Sequence, residues 1–550
     1  MTTPTPPQPD SRTSDDGSTT APTPSPRARI GFVLSGLVAV TFVAIGTWTT
    51  YWADLRNDQF QLIHLGQTVC DGGRMYVDCW ENKPPGIAWI NALAIVLAGG
   101  RLIGPWALPG VTLMACLGIM TAAATRLLSR RAACWTLVVS SMVYTLRLYD
   151  TPSINPDFYS SVFELAAIGL WLLALTSPDR RRLTGLAVAA GLIWAASVGV
   201  KQTGIVAPLA LSAVAAGLAL SKHDNARRWG ACCALAWTGF ALGAFAVAAV
   251  LAYRQTLGPA WDAVFEFNRG LATFAEVGRA IRSWSRIGAG LSALQLPLWL
   301  ALAGILVTVY EGKAKALSRP VVVALIVLWI LQVLFALIGP SKSMRYWQST
   351  FPAMLWLAAL GAYHLEHALR RSEMGRQSVL IVTSVTAILL LGGPLLSQHR
   401  HGFATSDLQY ASGHNQRTEL RKIGEHVREL VPDDRPIYVW AYDTGVYLYA
   451  KRRAASTYTY PRSHRQMDAI LADLATGQAD AILIPKHSAR EFDRWCDETC
   501  HRVRDRILAG YEVRSTVGQY DIWVRSLLDP GSERINETGL HESVSPGGAP

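Results

Sequence analysis

Apolar runs of 16 to 24 residues recur along the first 400 positions, and no other feature constrains the fold as strongly. A helix of that length crosses the ~30 Å hydrocarbon core of a bilayer. Backbone polar groups there must satisfy one another, so each run is read as a helix. Of the 550 residues, 50% are hydrophobic and 17% charged; soluble domains run nearer to about 25% charged. A soluble enzyme, a disordered protein and a secreted disulfide scaffold are thereby excluded. A net charge of +11 would point to nucleic acid in a soluble chain. Here basic loops facing an anionic membrane surface account for it, and no nucleic-acid partner is expected.

The spans are read as 30–52, 105–126, 132–148, 158–177, 183–198, 203–221, 229–252, 287–310, 320–338, 346–366 and 378–396. With the N-terminus inside, each of five short cytoplasmic loops carries three basic residues: Arg126, Arg130, Arg131; Arg180, Arg181, Arg182; Lys222, Arg227, Arg228; Lys313, Lys315, Arg319; and Arg370, Arg371, Arg376. A further span over the apolar stretch 84–98 would put the first of these loops outside. That stretch is therefore read as a helix at the outer interface. The expectation is an all-α membrane protein of about eleven transmembrane helices in the cytoplasmic membrane, multi-pass, N-terminus in and C-terminus out.

Residues 1–29, rich in Pro, Thr and Ser, read as a disordered cytoplasmic tail. Residues 30–396 form the transmembrane domain, with a first outer loop at 53–104 and a middle outer loop at 253–286. Segment 397–529 reads as a small extracytoplasmic α/β domain, with strands at 437–440, 481–484 and 520–524 and amphipathic helices at 418–430 and 465–475. Segment 530–550 reads as a flexible tail. Cys70 and Cys79 share the first outer loop, and Cys496 and Cys500 share the α/β domain; each pair suits either a disulfide in an oxidising space or unpaired packing.

Charges are costly in hydrocarbon, so their positions carry information. They collect at the outer ends of spans: Asp54, Asp58, Glu81, Lys83, Asp150, Asp157, Lys201, Lys342 and Arg345. Lys201 interrupts an otherwise apolar stretch in a short turn, where it needs an anionic partner or a phosphate. Asp58 also suits the N-cap of a helix starting at Gln59. The first outer loop holds Asp58-Gln59-Phe60, then Asp71-Gly72-Gly73-Arg74-Met75-Tyr76-Val77-Asp78, then Trp80-Glu81-Asn82-Lys83-Pro84-Pro85. This pattern resembles the polytopic GT-C glycosyltransferases of the protein O-mannosyltransferase and lipid A aminoarabinose transferase superfamily (family 39-like). Asn155-Pro156-Asp157, Val200-Lys201-Gln202-Thr203 and Arg345-Tyr346 with Phe351-Pro352 resemble further family segments more loosely. Gln59 stands where the family often has Glu, leaving one carboxylate instead of two.

The resemblance implies transfer of a hexosyl or pentosyl unit from a polyprenyl-phosphate donor in the bilayer to an acceptor hydroxyl on lipid, glycan or protein. That reaction needs a base for the hydroxyl and cations for the departing phosphate. It implies Asp58 as the base, with inversion, and Lys83, Lys201 and Arg345 as phosphate ligands. Asp157, Glu81 and Tyr346 support them. The residues establish no cofactor, and a divalent metal is allowed. Two other readings fit parts of the pattern: a polymerase or ligase using a polyprenyl-diphosphate donor, and a secondary transporter. The latter usually binds at the bilayer midplane between paired repeats.

Overall fold

The computed structural model describes residues 26–52, 57–146, 149, 151–271, 294–311, 319–338, 344–371, 416–433, 435–486, 495–496 and 498–526. The expected span at 378–396 and most of both expected tails lie outside them. The chain opens with α1 (Pro26–Trp52), α2 (Asn57–Cys70), α3 (Gly86–Leu97), α4 (Ile103–Leu127), α5 (Arg130–Val143), α6 (Pro156–Thr176), α7 (Arg180–Val200), α8 (Val206–Leu220) and α9 (Ala226–Tyr253). Helices at Gln295–Glu311, Arg319–Ile338 and Phe351–Arg371 follow. Among the described residues, seven helical segments are long and apolar enough to cross a membrane: Arg29–Tyr51, Ile103–Leu127, Pro156–Thr176, Arg180–Val200, Gln202–Leu220, Ala226–Tyr253 and Arg319–Ala336.

Some boundaries differ from the sequence expectation for local reasons. The helix expected over 132–148 stops at Val143, because Tyr144 turns its ring onto Phe158 and Phe351 at 6.2 and 5.4 Å. The helix expected from Tyr346 begins at Phe351. Pro352 suits a first turn, and Met344–Thr350 winds as a 3-10 segment ahead of it. At 12 residues, α3 is about 18 Å long and too short to span.

The axis of the bundle is α6, buried along nearly its whole length and packed on α4, α7 and Phe351–Arg371. It starts cleanly. The Asn155 side chain accepts from the Asp157 amide at 3.0 Å, and Pro156 occupies the first turn. Where α7 crosses α9, a Cβ on Gly191 or Gly239 would collide with the carbonyl of Ala236 or Val188 on the opposite helix. Small residues at that crossing let the two backbones touch and fix the end of α7, where Lys201 sits.

The C-terminal domain is a four-stranded sheet in the order β1-β2-β4-β3, with β1 (Ile437–Val439), β2 (Ala481–Pro485), β3 (Tyr511–Val517) and β4 (Tyr520–Arg525). β1 runs parallel to β2, and the other neighbours are antiparallel. Alternation along the strands sends Ile437, Val439, Ala481 and Leu483 to one face and Tyr438, Trp440 and Ile482 to the other. The first face belongs to the same core as the bundle; the second forms its own cluster with Met467, Ile470 and Tyr511. β3 and the helices Gly445–Ala450 and Glu498–Leu508 were not foreseen. β3 is largely exposed and carries little apolar alternation.

The shared core is anchored on α2. Phe60 meets Tyr449 edge-on at 6.1 Å, and His64 stacks on Tyr447 at 5.1 Å. A Cβ on Gly445 would press on Phe60 and Leu420. Burial pushes His64 down to about 4, so the folded protein holds it neutral. Unfolded, it takes a proton below its ordinary value near ~6.5. Stability is therefore full above ~6.5 and falls as pH drops from there toward 4, where the unfolded chain binds the extra proton. Thermal unfolding at pH 7 and pH 4.5 checks this: the wild-type melting temperature should fall, and His64→Leu should lose part of that fall.

Candidate active site

Segments distant in the sequence converge where the C-terminal domain meets the bundle. Asp58 is in the first turn of α2, not at its N-cap, because the helix begins one residue earlier, at Asn57. Its Oδ2 accepts from Arg345 Nη1 at 2.6 Å and its Oδ1 from the Tyr442 hydroxyl at 2.6 Å. Burial works against its ionisation. Arg345, Lys83 and the Tyr442 hydrogen bond outweigh burial and hold the carboxyl well below the usual carboxylate range. Conversely, Asp58 outweighs burial at Arg345 and holds its guanidinium above its ordinary value.

Glu81 is almost fully buried, and its Oε1 accepts from Lys83 Nζ at 2.8 Å with Arg462 Nη2 at 3.6 Å. Burial opposes its charge, but those two cations keep its pKa low. Lys201 caps the end of α7 and forms an ion pair with Asp157 at the start of α6. The Tyr346 ring lies between cations, 4.6 Å from Lys201 Nζ and 5.7 Å from the Arg345 guanidinium carbon. Three carboxylates thus each hold a cation: Asp58 with Arg345, Glu81 with Lys83, Asp157 with Lys201. Arg345 Nε is buried with no hydrogen-bond partner among the described residues.

Asn82 ties the segments together. Its side chain donates to Asn268 Oδ1 at 2.9 Å and accepts from Arg462 Nη1 at 3.0 Å. Its carbonyl accepts from Asn268 Nδ2 at 2.7 Å and from Gln202 Nε2 at 3.4 Å. The middle loop therefore reaches the site through Asn268, while Trp261 and Phe265 of that loop stay exposed. Lys342, Asp54 and Asp150 lie outside the described residues.

Tyr442 and Arg462 were missed in the sequence, as were Tyr458 and Tyr460, whereas their neighbour Trp80 opens the last part of the first-loop pattern. Tyr442 follows β1, and the loop beyond the carboxyl end of a parallel strand is where α/β folds place ligand contacts. Arg462 follows Tyr458-Thr459-Tyr460-Pro461, an aromatic run after the chain has passed along the edge of β1 at Ala454. These residues, with Gln61, Glu81 and Thr459, line a narrow cleft beside Asp58.

Cys496 and Cys500 form a disulfide. Cys70 and Cys79 do not: Cys70 Sγ faces the Ala92 carbonyl at 3.4 Å and Cys79 is buried with a free thiol. Among the described residues no three His, Cys, Asp or Glu side chains are placed to hold one metal ion. Asp58 and Glu81 are already neutralised by cations, a donor set that does not fit a divalent metal.

No family model matches the sequence, and no curated protein matches it. Solved structures do match. ArnT from Cupriavidus metallidurans bound to undecaprenyl phosphate aligns with a TM-score of 0.59 at 14% identity, over 92% of this chain and 99% of that one. Its apo state gives 0.56 at 15% identity, over 89% and 98%. The archaeal oligosaccharyltransferase AglB from Archaeoglobus fulgidus, in complex with an inhibitory peptide and a dolichol-phosphate, gives 0.53 at 13% identity, over 92% and 74%. The chain has the GT-C fold.

Proposed function

We propose that the chain is a glycosyltransferase of the cytoplasmic membrane that moves one sugar from a polyprenyl-phosphate carrier to an acceptor hydroxyl on the non-cytoplasmic face. The reading keeps eleven spans, with the α/β domain outside. The observation that carries it is the cluster of Asp58, Glu81 and Asp157 with Arg345, Lys83, Lys201 and Arg462 at one end of the bundle. Among the described residues four basic side chains face three carboxylates, an excess of one base, with burial lowering the pKa of Lys83 and bringing Lys201 down to about 7. A prenyl-phosphate sugar is a phosphodiester with one negative charge, and breaking its sugar–oxygen bond leaves a second on the departing phosphate. Such a site grips the transition state more tightly than the donor. The carriers named for ArnT and AglB are polyprenyl phosphates, which supports the same donor class here.

In this reading Asp58 takes the acceptor proton as the oxygen attacks the anomeric carbon, with inversion. Arg345 joins Asp58 to the phosphate and has an unpartnered Nε to offer it. As charge builds on the phosphate, Arg345 is drawn toward it and its hold on Asp58 weakens, so Asp58 becomes more basic when the proton must move. Lys83 and Lys201 each keep spare N–H donors beyond their ion pairs. Tyr346 fixes the spacing of Lys201 and Arg345, while Glu81 and Asp157 orient the two lysines. A transporter would place its polar site nearer the bilayer midplane than these helix ends.

The test is sugar transfer by the purified protein from radiolabelled polyprenyl-monophosphate sugars, with envelope extract as acceptor and the matching diphosphates alongside. Lys201→Ala combined with Asp157→Asn, which avoids a stranded carboxylate, should weaken donor binding by about tenfold. Unchanged affinity in a filter-binding assay would take Lys201 out of the phosphate site. Transfer from the diphosphates alone would move the reading to a polymerase or ligase.

A further inference from the structure

We propose that Tyr442 guards Asp58 against water, its hydroxyl holding the carboxylate oxygen that an acceptor hydroxyl takes over during transfer. The inference rests on the transferase reading above. A base that can accept a proton from an acceptor hydroxyl can also accept one from water. The water O–H bond would then break with its proton passing to Asp58. The new oxygen would bond the anomeric carbon, and the polyprenyl phosphate would leave with the electron pair. The donor would be lost as free sugar. With Tyr442 and Arg345 in place the Asp58 side chain is still 35% exposed, so protection comes from occupying its oxygens and not from sealing the site.

Tyr442 has the geometry for this. Its O–H donates to Oδ1 at 2.6 Å, the same kind of bond an acceptor hydroxyl makes to its base, while Arg345 occupies Oδ2. It arrives from the C-terminal domain, on the loop between β1 and Gly445–Ala450, rather than from the bundle that carries Asp58. Its ring lies against Tyr460 at 4.4 Å and lines the cleft that Trp80, Glu81, Tyr458 and Arg462 share. The Arg462 guanidinium faces the same phenol and can receive its oxygen when it leaves Asp58. An acceptor entering along this cleft displaces Tyr442 by offering Asp58 an equivalent O–H. A water brings no binding energy of its own to offset the loss of the Tyr442 hydrogen bond, whereas an acceptor held along the cleft does.

The experiment uses full-length wild type and Tyr442→Phe with one radiolabelled polyprenyl-monophosphate sugar, and measures free sugar without acceptor and glycosylated product with it. Phe keeps the ring packing and removes the donor. Acceptor-free hydrolysis should rise about tenfold, the factor a charge-assisted hydrogen bond corresponds to. The ratio of hydrolysis to transfer should rise with it. An unchanged ratio with transfer intact would reduce Tyr442 to packing. Loss of both reactions would make it a support for Asp58 and overturn the guard. If Tyr442→Phe does not fold, Tyr460→Leu removes the ring's support and must raise hydrolysis in the same way. Wild type that transfers no sugar from any donor would remove the transferase reading itself, a result seen before any variant is compared.

Discussion

Asp58→Asn should cut sugar transfer by about 10²–10⁴-fold, the usual cost of deleting a general base, while leaving donor binding near wild type or tighter. The size follows from the chemistry. An amide cannot take the acceptor proton at any relevant pH, yet its oxygen still accepts from Tyr442 and preserves the shape of the site. The sign of the binding effect follows from Arg345, which loses its anion at 2.6 Å and turns its full charge toward the phosphate. Initial rates with saturating acceptor, beside equilibrium binding of radiolabelled donor, separate the two effects. Turnover at the wild-type rate would remove Asp58 from the base role, and loss of binding in step with rate would make it a structural partner of Arg345.

Glu81→Ala should be the most disruptive single change to stability. The carboxylate is 2% exposed and is the shared counter-ion of Lys83 and Arg462, one from the first loop and one from the C-terminal domain. Removing one member of a buried ion pair costs about 3–5 kcal/mol, and the partly solvated partners put this case near the lower end. Thermal unfolding of the detergent-purified protein should shift strongly downward. Protease should cleave between bundle and C-terminal domain sooner than in wild type. Glu81→Gln, which keeps an acceptor for Lys83, should recover part of the loss. A melting curve unchanged in Glu81→Ala would show that solvent replaces Glu81 at no cost.

The membrane class was legible because apolar runs of bilayer length admit few other folds. The polar end was legible because charge in such a chain is rare. Lys201 required a counter-charge wherever the turn was buried, and Asp157 supplies it. What sequence could not give was the partner across the domain boundary. Tyr442 lies 384 positions from Asp58, and a tyrosine in a chain with 18 of them carries no mark of its own. Boundaries were misplaced where a local packing event overrode hydropathy. Tyr144 ends α5 by joining an aromatic cluster, and Pro352 postpones a helix so that Arg345 and Tyr346 stand on a tight turn. The Cys70 and Cys79 spacing permitted a disulfide, but the fold places both thiols in packing roles.

The single core shared by α2 and one face of the sheet also sets a schedule for biogenesis. Phe60 and His64 are made early, whereas Tyr447 and Tyr449, which cover them, come nearly 400 residues later. At a synthesis rate of about 5–20 residues per second, that interval lasts roughly 20 to 80 s. For that time the segment bearing Asp58 has α3 beside it but an uncovered apolar flank. The nascent chain must be shielded by insertion machinery or lipid until its last hundred residues emerge, and a chain terminated before Gly445 would be left with that flank open to quality control.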